Sequence, residues 1–469
     1  MFRTLVFVLS LLLIIAVPVG AEDWYQWRGP DQDGITEIGN LPVEWDDEKS
    51  IDWKRALPGP GSSQPVVWDG KIFVTSWSGY NPAARRGKED WEEHPITEDL
   101  RYHVTCLDAD SGDVLWSKEL ESMNSFTQQA KNVKHHGLAT HTPVAQENRL
   151  YASFGPGGLF ALDHEGNEVW RTSIGDKFAG WGSAASPILH GDRLFVNASV
   201  ESGALLAIDK NTGKEIWRQD ANMSFEDEQK AWYNRAWSTP LVFEVDGEMR
   251  LAMLVVGQHM NVYDPETGEV LWRQPRVSGG YSCNTPIYDP EKEILYCFAG
   301  GSHGTTTASA IKAGDNAEDR LIWQHEERGA ALVPPVLYHG RLHYGAYGGM
   351  RPKTARCLGC LDPETGEVIW EKRPDELADC RGVYGTTFAG DGKVYIQTRK
   401  KGTWVLDATT PKYRVLSVNV LDREESPMSL ALSRENPDAN VFNVCPVPLS
   451  DGRLILRSYW GLHCISARE

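Results

Sequence analysis

The chain has 469 residues, with 47 Lys+Arg against 65 Asp+Glu for a net charge of −18, and it contains 18 Trp. That length is ample for a large core, and so acidic a surface repels nucleic acid, which excludes a nucleic-acid-binding role. The charge names no partner, and the tryptophan content calls for an architectural explanation.

In chain order, the first segment reads as a targeting signal. Arg3 supplies a positive n-region, Leu5 to Val17 is apolar apart from Ser10, and Val19-Gly20-Ala21 places small residues where a signal peptidase reads. The pattern predicts a secretory signal peptide over residues 1–21, and hence a periplasmic or secreted protein. An uncleaved N-terminal anchor is the alternative, although the apolar run is short for a membrane span and no second such run follows. Residues 22–50 form an N-terminal extension ahead of a repeat that fills 51–469.

The repeat is apolar–Asp, a short turn ending in Gly, then Trp. It runs from Cys106 through Asp108 and Gly112 to Trp116, and returns in the segments ending at Trp170, Trp217, Trp272 and Trp370. A copy without the Asp ends at Trp323, and a degenerate one runs from Val405 through Asp407 to about Leu416. Asp bonds back to turn amides and Gly closes the turn at positive φ, which predicts a β-hairpin. Trp on the second strand offers a large apolar face to a neighbouring sheet.

Upstream of each copy a second hairpin is expected. Its first strand is read as ending near a proline, at Pro65, Pro143, Pro187, Pro240 and Pro286, with Gly turns such as Asp69-Gly70 or Asp391-Gly392 after it. Each unit is then four antiparallel strands, A to D, and four-stranded sheets at this spacing predict a β-propeller. The C-terminus supplies only strands A to C of an eighth unit: Phe442 to Pro448, Arg453 to Arg457 and Leu462 to Ser466. An orphan strand, Ile51-Asp52-Trp53-Lys54-Arg55, supplies its strand D. The expected fold is all-β, an eight-bladed propeller closed by pairing of an N-terminal strand with the C-terminal blade, which hides both edges.

These repeats resemble the PQQ-like (quinoprotein-type) propeller repeat. The opening Trp24-Tyr25-Gln26-Trp27-Arg28-Gly29-Pro30 and the segment Gly182 to Pro187 are similar to those of secreted planctomycete-type members. The resemblance implies the fold over nearly all of the mature chain, and it leaves the activity open. Relatives include quinoprotein alcohol and glucose dehydrogenases and the envelope scaffold BamB, which binds no quinone.

In such a ring the long insertions all fall on the face of the B–C loops and D-to-A links: 79–100, 119–136, 220–236 and 419–439. Insertions of this kind mark a binding face. The residues starting the A strands should line a funnel there. Candidates are His135, His136, His141 and Trp181, then Arg235, Trp237, Arg328, Arg381 and Tyr384, with Asn197 and Glu201 from nearby B–C loops. Tyr281, His259, His303 and Lys400 lie close to them in this scheme. A polar, aromatic funnel with several cations suits an anionic, planar or sugar-like ligand.

The cluster His135-His136…His141 lacks a carboxylate or Cys at a metal-binding spacing, so no metal site is expected. Cys357 and Cys360 form a lone CxxC, and Cys360 shares its repeat position with Cys106, Ala161, Ala207 and Cys464, a small core slot. Cys357 and Cys380 remain a candidate disulfide across blade-six loops. Gly155-Pro156-Gly157-Gly158 joins two strands and opens no helix, so it is not a phosphate loop. The quinoprotein dehydrogenases use a vicinal Cys pair, a Trp beneath the quinone, a calcium-type ion and an Asp base, and this chain has no Cys-Cys dipeptide. Glu201 and Asn197 are nonetheless oxygen donors of the kind calcium takes.

The expectation is a monomeric, non-catalytic, exported scaffold in the cell envelope. It would bind an envelope protein or a small-molecule or glycan ligand, with no cofactor and no membrane span after cleavage. A PQQ-dependent alcohol or sugar oxidoreductase, with calcium, is the alternative.

Overall fold

A computed structural model describes residues 23–48, 50–80, 96–124, 137–178, 182–221, 236–255, 259–277, 280–281, 283–301, 305–328, 333–346, 358–372, 385–398, 402–421 and 446–467. Strands fill it; the only helical turn among these residues is a 3-10 turn at Gly155–Gly157. Eight antiparallel sheets follow one another around a ring. Blade 1 consists of strand A (Val66–Trp68), B (Lys71–Tyr80), C (Ile96–Asp108) and D (Val114–Glu121). Blades 2 to 7 repeat this A-B-C-D order over 144–172, 188–220, 241–274, 287–328, 336–372 and 388–419.

Blade 8 combines Val447–Pro448, Leu454–Arg457 and Gly461–Ile465 with Ile51–Ala56 as its strand D, and Trp53 stands opposite Cys464. The expected closure is therefore present.

Most seams between blades share one contact. At five of the eight seams the strand-D Trp lies on the Gly of the next blade's C–D turn and donates its indole N–H to a carbonyl of that turn. Trp116 reaches His164 O at 2.7 Å, Trp170 reaches Lys210 O at 3.0 Å, Trp217 reaches Pro265 O at 3.1 Å, Trp323 reaches Pro363 O at 2.9 Å and Trp53 reaches Ala109 O at 3.3 Å. The glycines are Gly166, Gly213, Gly268, Gly366 and Gly112, all at positive φ, and a Cβ on any of them would run into the indole. The turn Asp holds the turn in shape: Asp209 Oδ1 accepts from Asn211 N at 3.0 Å and from Thr212 N at 2.8 Å.

Three seams vary this rule. Trp370 faces the turn of blade 7, which has no glycine, and its ring lies 5.1 Å from that of Tyr413. Trp272 meets the longer turn of blade 5, where the Arg320 guanidinium lies 4.1 Å over its ring in place of a glycine. In blade 7 the Trp position, opposite Val405, is Ser417, while Leu416 is an extra residue at a register shift. The missing indole comes from the N-terminal extension. Trp45 stacks on Tyr395 with ring centroids 6.5 Å apart, and Tyr395 holds the strand-B position whose counterparts Phe73, Tyr151 and Phe195 lie against Trp116, Trp170 and Trp217. Asn419 and Ser417 fix this graft by donating to Val43 O, and Asn419 Oδ1 accepts from Trp45 N.

The rest of the extension closes the axis. Innermost strand edges would leave N–H groups facing the channel. Residues 24–34 take five of them: Val67 N bonds to Trp24 O, Ala145 N to Tyr25 O, Leu189 N to Gln26 Oε1, Val242 N to Gln32 Oε1 and Ala389 N to Gly34 O. In blade 8 the corresponding residue is Pro448, which has no N–H to satisfy. Arg28, fully buried, donates to the carbonyls of Gln32, Asp33, Pro334, Pro335 and Thr387. Leu41 N bonds to Asp391 Oδ2 and Asp69 N to Asp23 Oδ1, so the plug sits on the side of the A–B turns.

Three expectations need correction. The prolines precede strand A rather than ending it: Pro65 is followed by strand Val66–Trp68 and Pro187 by Ile188–His190. A residue without an N–H fits the approach to an inner edge strand, not a paired position. The 79–100 insertion starts later and ends earlier than expected, because strand B of blade 1 runs on to Tyr80 and strand C starts at Ile96, with 81–95 outside the described residues. Arg328 does not start a strand A. It ends strand D of blade 5 (Leu321–Arg328), which an unusually long pairing carries out to Thr305, so it lies on the outer strand and away from the channel.

Every strand D carries a one-residue register shift beside its Trp position. Such bulges twist the outer edge out of pairing register and guard it against edge-to-edge association. The small strand-C slot is filled as expected, and Cys106, Cys360 and Cys464 are fully buried there, with burial pushing each thiol up to about 12.

Gly70 and Gly213 have the same φ of +71°, but a Cβ on Gly70 meets nothing within 4 Å while one on Gly213 comes 2.6 Å from the Trp170 ring. Gly70→Ala should therefore cost about 1 kcal/mol, the left-handed penalty alone. Gly213→Ala should cost about 1–3 kcal/mol more through overpacking. Chemical denaturation of both variants checks this, and equal losses would remove the seam contact from the explanation.

His343 occupies the strand-B aromatic slot of blade 6, buried, with neither ring nitrogen in a well-formed hydrogen bond, and burial lowers its pKa from 6.5 to about 4. The unfolded chain then binds the extra proton first. This site's contribution is complete above pH 6.5 and is lost as pH falls from there toward 4. His343→Phe should raise stability by about 1–2 kcal/mol at neutral pH and flatten the acid limb of the stability–pH curve between those values.

Candidate functional site

Opposite the plugged A–B side, the wall of the channel is built by the residues just before each strand A. The (Ser/Thr)-Pro dipeptides form a belt running from blade to blade. Gln64 N donates to Thr142 Oγ1, Thr142 N to Ser186 Oγ and Ser186 N to Thr239 Oγ1, each at 3.0 Å. Each donor residue precedes a proline, which holds it extended and leaves its N–H free for the neighbouring blade. Further round, Trp27 Nε1 of the plug donates to Thr285 Oγ1 at 3.3 Å, which ties the floor to the wall.

Four predicted site residues come together between blades 2, 3 and 4. His141 Nε2 lies 3.0 Å from Ser183 Oγ, and both are buried. Trp237, half-buried, donates to Gly182 O at 2.9 Å, which sets its ring beside the same segment. Asn197 ends strand B of blade 3 (Arg193–Ala198) and gives its amide N–H groups to Ala236 O at 3.2 Å and Ser238 O at 2.8 Å. Its Oδ1 accepts from Ser199 N at 3.0 Å, and Ser199 Oγ donates to Ala236 O at 2.6 Å. Glu201 is fully buried, and its Oε1 lies 2.8 Å from where a Cβ on Gly155 would stand, with His141 Cε1 3.4 Å from that point. Gly155, at φ +57°, thus makes room for the carboxylate and the imidazole together. The Gly155-Pro156-Gly157-Gly158 turn is a wedge between blades: Asn124 Nδ2 donates to Pro156 O at 2.6 Å and Met123 N to Gly157 O at 3.0 Å.

His135, His136, Trp181, Arg235, Arg381 and Tyr384 lie outside the described residues, as do His303, Lys400 and the Cys357–Cys380 pair. His259, half-buried, opens strand C of blade 4 (His259–Tyr263), and burial, with Arg273 second, lowers its pKa. Tyr281 joins a short extra strand against Gly300 of blade 5.

The sequence reading missed the hydroxyl belt, although its mark, Ser or Thr before Pro, repeats visibly. It also missed Arg457, which ends strand B of blade 8 and is fully buried at the seam with blade 1.

Asn197 commits both amide N–H groups to the approach of blade 4, and its oxygen accepts from Ser199 N. Among the described residues no three of His, Cys, Asp or Glu converge as a metal-binding group.

A family model described as outer membrane protein assembly factor BamB matches residues 100–226, 161–303 and 201–333. A quinohemoprotein alcohol dehydrogenase of Comamonas testosteroni is 30% identical over 356 residues, 65% of this chain and 47% of that protein. BamB of Shewanella oneidensis is 23% identical over 355 residues, 69% of this chain and 83% of that protein. The chain thus spans about half the length of the first relative. The crystal structure of the Comamonas testosteroni quinohemoprotein alcohol dehydrogenase superposes with a TM-score of 0.62, covering 96% of this chain and 81% of that one at 12% identity, a likeness of fold.

Asn197→Asp separates the two roles open to that residue. A loop-fixing amide replaced by a carboxylate faces the Ala236 and Ser238 carbonyls with no N–H, which should cost about 2–4 kcal/mol. A calcium ligand replaced by Asp should instead gain affinity. Thermal unfolding with and without calcium is expected to show a lowered midpoint that calcium does not restore.

Proposed function

We propose, from the premise that this chain belongs to the PQQ-like β-propeller repeat family with the BamB-type assembly factors, that it is a non-catalytic exported scaffold of the cell envelope. The observation that carries this reading is how the mouth spends its polar groups. His141, Thr142, Ser183, Ser186, Asn197 and Ser199 bond to one another or to backbone. Such a wall is rigid and already satisfied, so a ligand or a protein segment would meet a preorganised surface at small ordering cost. The plug lies on the side of the A–B turns, so on this reading a ligand approaches from the opposite face. Export rests on the apolar segment at residues 5–17. Among the described residues no helix is long and apolar enough to cross a membrane.

The occupant on this reading is a protein segment of the envelope, a glycan or a small anionic or planar molecule, stacked on Trp237. The quinone-dependent alternative draws on the alcohol dehydrogenase relative and on the buried Glu201 carboxylate.

Purified protein incubated with PQQ and calcium decides between them. The scaffold reading expects no retained chromophore and no dye-linked oxidation of alcohols or sugars; either signal would replace it with the oxidoreductase reading. In a thermal-shift panel of glycans and small anions, Trp237→Ala and Arg235→Ala should abolish any shift seen with the parent while leaving the unliganded midpoint within about 2 °C. A shift that survives both substitutions places the site elsewhere.

A further inference from the structure

The last residue pair of strand B recurs at each blade seam. Its counterparts, fixed by strand register, are Thr75, Ser153, Asn197, Leu254, Phe298, Gly345, Gln397 and Arg457 in blades 1 to 8. Only blade 8 places a charge there. Arg457 Nη1 donates to Ser63 O at 2.7 Å and to Ser63 Oγ, and Nη2 donates to Thr75 O at 2.6 Å. Every one of these acceptors is neutral. Among the described residues no carboxylate pairs with the guanidinium, and Nε is buried with no hydrogen-bond partner.

Arg presents five N–H donors. Three are accounted for, which leaves Nε–H and the second Nη2–H. Next in the chain to Ser63, the buried Gln64 also has an Nε2 without a partner. Room at the guanidinium is made by Gly61, where any Cβ would collide with Arg457 Nη2. Burying an uncompensated charge costs several kcal/mol even after relaxation, and a neutral acceptor or a water satisfies the hydrogen bonds without cancelling the charge. Burial of the group also lowers its pKa to about 9, the direction expected for a cation that lacks an anion beside it.

We propose that Arg457 holds a small monovalent anion, of halide or simple carboxylate type, at the seam between blades 8 and 1. The anion takes the free N–H donors and neutralises the guanidinium. Its place is the seam where the two ends of the propeller meet, since blade 8 draws its strand D from Ile51–Ala56 and blade 1 follows directly. Binding there stabilises the closed ring and leaves the mouth between blades 2 and 4 untouched.

The test is thermal unfolding of the full chain at constant ionic strength, with gluconate, too bulky for a closed seam, replaced stepwise by chloride or, separately, by formate. A bound anion gives a rise that grows with the logarithm of its concentration, about 3 °C at one hundred times its dissociation constant. A response to chloride alone identifies a halide site, and a response to formate, with or without chloride, a carboxylate-accepting one. Arg457→Met should abolish the response, and Arg457→Gln serves if the Met variant does not fold. Crystals grown in bromide should show an anomalous peak beside Nε. Identical curves in all three salts, a response that persists without the guanidinium, or, where chloride gives a response, a bromide map with no peak at the seam would each overturn the assignment.

Discussion

The contact on which the ring depends is a tryptophan lying on a glycine. A propeller has no single core. Each blade must bury one face against the blade before it and one against the blade after, and the register between neighbours has to be set at every seam. The indole does both: its area excludes water, and its one N–H fixes where the next turn must come. A glycine at positive φ lets the turn approach that closely. Both halves are local in sequence, since the turn Gly and the Trp belong to one hairpin, yet they act on opposite neighbours. Trp170 lies on Gly213 while Gly166 receives Trp116. Each hairpin is thus donor to one blade and acceptor to the other, and the repeat propagates around the ring.

The N-terminal extension follows from where that rule fails. Blade 7 has Ser417 in the Trp position, so a seam lacks its indole, and Trp45 supplies one from a distant part of the chain. Inner strand edges have no neighbour across the axis, so residues 24–34 supply acceptors for five of their N–H groups. Blade 8 lacks an outer strand, so Ile51–Ala56 supplies it. Three deficits of an otherwise repetitive ring are met in order by one continuous segment. The same segment plugs the axis on the side of the A–B turns.

What was legible in the sequence is what repeats. Blade number, strand order, the closure through Trp53 and the core role of Cys360 all follow from a pattern seen several times over. The plug was not legible, because Gln26, Arg28 and Gln32 act once each, and their acceptors and donors lie hundreds of residues away. Trp45 was hidden likewise: nothing near it marks it as the partner of Tyr395. Arg328 was misplaced because the long pairing in blade 5 breaks the length rule that holds elsewhere. Among site residues, His141 and Trp237 were reachable by counting back from strand A. Asn197 was located correctly, but its chemistry was misjudged, since a side chain's commitments to backbone carbonyls do not appear in a sequence.

Those commitments bear on packing. Between blades 2 and 4, Thr142, Ser186, Asn197 and Ser199 spend their polar groups on holding blades together. Asn197 and Ser199 tie strand B of blade 3 to the approach of blade 4, just as Arg457 ties blade 8 to blade 1. The positions are equivalent, so the comparison is internal: one seam is bridged by a neutral amide and the other by a cation. The amide is balanced by its acceptors alone. The cation donates to neutral acceptors too and carries a charge that none of them cancels, so two seams with equivalent strand positions differ in what they still require from solution.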